Sequence, residues 1–202
     1  MNILCLNPPF KTEYGRFSRT SRSPAITKSG TIYYPIWLCY VAGVLEEAGH
    51  EVKVIDSCAY EYDLEDTLKL VANFKPQIVV LDTSTPSIYS DVKTGKEIKK
   101  ILPDCFVLLI GTHPTALPEE TLQLNDAIDA IAVGEADYIV RDLAQKLAET
   151  DLHKIQTDIT YRDSILNTID GLVYRVDNKI CLNKRREFIK NLDELPFVSK
   201  VY

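Results

Sequence analysis

The residues best placed to meet a ligand are short clusters at the ends of apolar, strand-like runs. Asn7-Pro8-Pro9-Phe10 follows the run Asn2–Leu6. Its prolines lack backbone donors and stiffen the chain. It therefore cannot cradle a phosphate as a glycine-rich loop at a helix N-terminus does. It can offer a rigid surface with one amide side chain, although on chemistry alone a plain strand terminator is the better reading. Thr83, Ser84 and Thr85 close the run that starts at Gln77 and offer hydroxyls to amides or phosphate oxygens. Capping of a following helix before Pro86 is the competing role for some of them. Gly111 ends the run from Cys105, where backbone can approach a ligand closely, and Thr112, His113 and Pro114 come next. Gly134 ends the run from Ala127, and Glu135 opens a helix whose dipole suits an acid.

These clusters contain no catalytic constellation. No serine–histidine–acid order is present, so no catalytic residue is assigned. His50, His113 and His153 show no ligand spacing, and neither do Cys5, Cys39, Cys58, Cys105 and Cys181, so no metal ligand is assigned. The cysteines have apolar neighbours and read as reduced, mostly buried thiols of a cytoplasmic protein. A phosphoacceptor receiver would need an acidic pair after the first strand to hold magnesium, and that loop has none. Small, rigid and mostly uncharged groups at several strand ends suit a large, flat, mostly uncharged ligand.

The positioning elements alternate between strand and helix. After Asn2–Asn7, the stretch PIWLCYVAGVLEEAGH predicts a helix with Leu38, Val41, Ala42 and Leu45 on one face and Gly49 as its stop. Glu51–Asp56 alternates as a strand. DLEDTLKLVANF predicts a helix capped by Asp63, burying Leu64, Leu68, Val71 and Phe74. Gln77–Thr83 and Cys105–Gly111 are continuous apolar runs, as strands covered on both faces are. A helix around Tyr89–Leu102 carries Val92, Ile98 and Ile101 inward. Pro118 begins another, with Glu119 and Glu120 in its first turn. Ala127–Gly134 is the last strand of the series, and EADYIVRDLAQKLAE the last helix, with Ile139, Leu143 and Leu147 spaced four apart.

Five such repeats predict an α/β fold: a five-stranded parallel, doubly wound sheet, flavodoxin-like or Rossmann-like, in the order 2-1-3-4-5. Ligands of such sheets bind beyond the carboxyl ends of the strands, where the clusters above fall. Residues 1–150 form this domain. Residues 151–202 form a connector, with a β-hairpin over Asp170–Asn183 turning at Asp177-Asn178 and then a linker. One connection is long: Pro8–Tyr34 carries Lys11, Arg16, Arg19, Arg22 and Lys28 against Glu13. It is either a solvated insertion or a lid over an anionic or amide-rich ligand or a partner domain.

At 202 residues, 46% hydrophobic and 26% charged, the chain has ordinary globular composition. A net charge of −6 argues against nucleic-acid binding. The sequence shows neither a secretory signal nor an apolar stretch long enough to span a bilayer.

The set NPPF, YYPIWLCYVAGVLEEAGHEVKVID, GTHPTALPEETL and VGEAD resembles the N-terminal cobalamin-binding domain of cobalamin-dependent radical S-adenosylmethionine enzymes, including the anaerobic magnesium-protoporphyrin monomethyl ester cyclase type. The tail segments IDGLVYRVDNKICLN and FIKNLDELPF are similar to that family's connector. The resemblance covers essentially the whole chain. It implies a cobalamin lined by Asn7–Phe10, Thr83–Thr85, Gly111–Pro114 and Gly134–Glu135. It also implies S-adenosylmethionine and an iron–sulfur cluster in a radical domain expected after Tyr202, with a small-molecule substrate and methyl transfer or ring formation as the reaction. The CxxxCxxC cluster motif is absent, so the chain alone is not expected to catalyse radical chemistry. The Asp-x-His-x-x-Gly motif of histidine-ligated cobalamin modules is also absent, and Asn7–Phe10 stands in its place. The competing readings are a cofactor-free flavodoxin-like regulatory or interaction module and the nucleotide-sugar half of a glycosyltransferase.

Overall fold

The computed structural model describes every residue except 11, 12, 14, 20–23 and 178. Lys11 and Arg22 of the basic loop and Asn178 of the expected turn lie outside the described residues. The chain runs β1 (Asn2–Asn7), β2 (Arg16–Ser18), β3 (Ala25–Thr27), α1 (Ile36–Glu47), β4 (Glu51–Asp56), α2 (Leu64–Phe74), β5 (Ile78–Thr83) and α3 (Ile88–Ile101). It continues through β6 (Phe106–Gly111), α4 (Thr112–Ala116), α5 (Pro118–Gln123), β7 (Ala130–Ala132) and α6 (Ala136–Ala148). The connector adds α7 (Leu152–Thr157), α8 (Ile159–Leu166), β8 (Leu172–Val176) and β9 (Lys179–Leu182).

The main sheet has the order β4-β1-β5-β6-β7-β8-β9. Its first five strands are parallel and follow the expected 2-1-3-4-5 order. Side chains alternate across the sheet because successive residues of a strand point to opposite faces. Ile3 and Cys5 of β1 join the core beneath α1 and α6, with Leu38, Leu45, Ile139 and Leu143. Leu4 and Leu6 join the opposite core, with Val71 of α2 and Val92 and Ile98 of α3. Ile101 was expected to point inward, but it is the last residue of α3 and is exposed.

Local chemistry sets the element ends. Asp63 caps α2 through a reciprocal capping box with Asp66. Gly49, at φ +85°, turns the chain from α1 into β4. The fifth parallel strand is shorter than Ala127–Gly134, and Asp129 stands just before it with its N–H donating to the Val107 carbonyl at 2.9 Å. Its carboxylate accepts from Val107 N at 2.7 Å and pairs with Lys99 Nζ at 2.7 Å and Arg162 Nη1 at 3.1 Å. The expected C-terminal hairpin is β8–β9. It continues the main sheet, because β8 pairs antiparallel with β7. Asp151 caps α7 and Asp158 caps α8, two helices to which the sequence pattern assigned no element.

Part of the long connection is ordered as the antiparallel pair β2–β3. Phe17, Ser18 and Arg19 are buried, and the Phe10 and Phe17 rings pack with centroids 4.4 Å apart. The described part of this segment is therefore anchored to the domain.

Candidate functional site

The carboxyl ends of β4, β1 and β5 carry Asp56, Asn7 and Asp82, all buried. Parallel pairing sets Asn7 beside Asp56. The Asn7 amide is committed on both sides: Nδ2 donates to Asp56 Oδ1 at 2.7 Å, and Oδ1 accepts from Arg19 Nη1 at 2.5 Å. Arg19 Nη1 also donates to the Pro8 carbonyl at 2.7 Å and to Cys58 Sγ at 3.3 Å, while Nη2 pairs with Asp91 of α3. Asp91 Oδ2 accepts from Ser87 at 2.6 Å, and Ser87 meets Ser84 at 2.8 Å. At the other end Asp56 Oδ2 accepts from the Tyr202 hydroxyl at 3.0 Å. One continuous polar chain thus crosses the strand ends, from the turn after β5 to the end of the connector.

This chain carries charge through a dry region. Burial pushes the Asp82 carboxyl up to about 7, and Arg19 offsets only part of that shift. Burial also pushes Asp91 up, against the pull of Arg19 and Ser87. Removing one partner of such a pair strands the other charge, at a cost of roughly 3–5 kcal/mol.

The sequence-assigned residues divide into two groups. Asn7, Pro8, Pro9, Thr83, Ser84 and Pro114 are buried. Thr83 Oγ1 donates to the Ile110 carbonyl at 2.7 Å, so that hydroxyl serves the sheet. Gly111 has φ +118°, and a Cβ there would stand 2.1 Å from the Thr83 carbonyl oxygen. Its lack of a side chain is already required by the neighbouring strand. The second group forms an open ledge over β5, β6 and β7: Thr85 and Thr112 are exposed, and His113 is half-buried with Nδ1 3.3 Å from Thr85 Oγ1. Gly134 lies on the same ledge, with its N–H donating to Thr115 Oγ1 at 3.1 Å and, among the described residues beyond its chain neighbours, no atom within 4 Å of where a Cβ would be. Phe10 stands apart, beside a cleft of about 310 Å³ that Phe17, Cys58 and Tyr62 also line. Glu135 is tied to the connector, because Oε2 accepts from Ile189 N at 2.6 Å.

Arg19, Asp56, Asp82, Asp91 and Tyr202 were not singled out as site residues by the sequence pattern. Asp56 and Asp82 were marked by their position at strand ends, and Arg19 by its place in the long basic connection read as an insertion or a lid. The choice of Arg19 over Arg16 depends on tertiary contacts, since Arg16 pairs with the exposed Glu61 at 3.1 Å. Among the described residues no cluster of three or more His, Cys, Asp or Glu could hold a metal ion.

A family model described as the B12 binding domain matches residues 22–144, more than half of the chain. The chain belongs to the B12-binding domain family. This B12-binding domain is 31% identical over 199 residues to an uncharacterized methyltransferase of Pyrococcus horikoshii, covering 98% of this chain and 38% of that protein. It is 26% identical over 163 residues to the anaerobic magnesium-protoporphyrin IX monomethyl ester cyclase of Rubrivivax gelatinosus, covering 80% of this chain and 28% of that protein. Its fold matches the cobalamin-dependent S-adenosylmethionine radical enzyme OxsB, solved with aqua-cobalamin and S-adenosylmethionine bound. That match has a TM-score of 0.67 at 14% identity and covers 93% of this chain and 22% of the other. The chain spans less than two fifths of the length of each of these proteins.

The ledge of this B12-binding domain suits a corrinoid in its chemistry. The corrin periphery carries neutral amides, which pair with hydroxyls, an imidazole and backbone groups. Thr85, Thr112, His113 and the open backbone at Gly134 are such groups.

Proposed function

We propose that this domain binds cobalamin on the ledge formed by Thr85, Thr112, His113 and Gly134, with the buried ends of β1 and β5 as its rigid support. The observation that carries the reading is the B12-binding match over residues 22–144, which includes every one of those ledge residues. Cobalamin, when bound, supplies a cobalt centre able to carry a methyl group. Hydroxyls of Thr85 and Thr112 orient corrin amides. Gly134 admits the macrocycle close to backbone, and Asn7–Phe10 offers no nitrogen ligand of histidine type.

In the whole protein the domain would hold the corrinoid for a radical S-adenosylmethionine domain joined after Tyr202, in methyl transfer or ring formation on a small molecule. That domain would bring S-adenosylmethionine and the iron–sulfur cluster. Residues 151–202 would be the connector between the two. Tyr202 supports this arrangement, because its bond to Asp56 holds that end of the connector at the strand-end edge. No helix among the described residues is long and apolar enough to cross a membrane.

The test is to incubate the chain with hydroxocobalamin, desalt it and read the visible spectrum. Stoichiometric corrinoid absorbance is expected. Protein free of corrinoid after desalting, with equal indifference to flavins and nucleotides, would favour a cofactor-free interaction module.

A further inference from the structure

Arg19 stands in a segment that interrupts the fold between β1 and α1, yet its side chain is almost wholly buried, at 1% exposure. Three groups accept from Nη1: the Asn7 amide oxygen, the Pro8 carbonyl and Cys58 Sγ. Asp91 accepts from Nη2, and Nε has no partner among the described residues. These partners come from the end of β1, the turn after β4 and the first turn of α3. A planar guanidinium can address several acceptors at fixed angles, which an ammonium cannot. The bond to Asn7 Oδ1 has a further consequence. An amide whose oxygen is held by a cation must turn its NH₂ the other way, and here it meets Asp56. Asp56 in turn receives Ala59 N at 3.0 Å and the Tyr202 hydroxyl at 3.0 Å.

We propose that Arg19 is the positioning residue of the strand-end site: by fixing the Asn7 amide and the Pro8 carbonyl, it sets the geometry of β1's end, of the turn after β4 and of the Tyr202 contact. It acts through Asn7 and does not touch the ligand. The affinity measurement below rests on the corrinoid reading; the exchange measurement does not.

The experiment compares Arg19→Ala, Arg19→Lys and the double variant Arg19→Met with Asp91→Leu. Amide exchange is followed at Ser57, whose N–H donates to the Asn7 carbonyl at 3.0 Å, and at Ala59. Binding of hydroxocobalamin is measured in parallel. Arg19→Ala leaves Asp91 buried and unpaired, so it should lower Tm. The double variant removes both charges and should keep a Tm near that of the unaltered chain. Exchange at Ser57 and Ala59 should nevertheless quicken roughly tenfold, and cobalamin affinity should fall by roughly the same factor. Arg19→Lys keeps the charge and should show the same loosening, and it carries the test if the double variant does not fold. Unchanged exchange overturns the proposal, whether affinity holds or falls, since a fall alone would mean that Arg19 touches the ligand. Quickened exchange with unchanged affinity also overturns it. Quickened exchange in a chain that never binds cobalamin supports the positioning role and removes the corrinoid reading alone.

Discussion

Asp82, the last residue but one of β5, has its carboxyl pushed up to about 7 by burial. An unfolded aspartate titrates near about 4. Between those values the folded chain holds a proton that the unfolded chain releases. The stability drawn from Asp82 is therefore complete below about pH 4 and is lost as pH rises to about 7, at roughly 1.4 kcal/mol per pH unit. Asp82→Asn should shallow the fall of Tm over that range and raise Tm at pH 8, as thermal melts followed by circular dichroism would show. Identical pH profiles for the two proteins would refute the assignment. Gly111 gives a second prediction. Its φ of +118° and the close approach to Thr83 mean that Gly111→Ala should cost about 2 kcal/mol or more, read by denaturant unfolding. The sequence located Gly111 at a strand end and assigned its bareness to a ligand. The steric demand comes from the adjacent strand, and one chain segment read alone does not reveal what lies beside it.

The elements that the sequence revealed best are those whose signal is local. Continuous apolar runs marked β5 and β6, and Asp63 marked the start of α2. The β8–β9 hairpin was legible as a hairpin. Its place on the edge of the main sheet was not, because strand pairing at a distance leaves no period in the sequence. Likewise, β2 and β3 are three residues each, too short to show alternation against a polar, basic background. The connector supplies the prediction at this scale. Glu135 Oε2 holds the Ile189 amide, and Gly43 of α1 sits so close to Pro196 that a Cβ would lie 2.6 Å from its Cγ. Glu135→Ala should therefore quicken tryptic cleavage at Arg185 and Lys190 while leaving the melting of the parallel sheet nearly unchanged. Equal cleavage rates would show that the Glu135 bond does not hold the connector.

At the scale of the molecule, five parallel strands aim their carboxyl ends at one edge, and the buried polar chain and the open ledge share it. Trp37 is the only tryptophan in the chain. It is 65% exposed in the first turn of α1, the helix that follows β1 and its long connection at this same edge. A corrinoid absorbs where tryptophan emits, so the residue is a built-in reporter of cobalamin on the domain. The most direct measurement is a titration of Trp37 emission with hydroxocobalamin, corrected for inner-filter absorption against free tryptophan. Saturable quenching that ends at one corrinoid per chain is the expected result. Emission that falls no further than that of free tryptophan at every corrinoid concentration would contradict a cobalamin site on this domain.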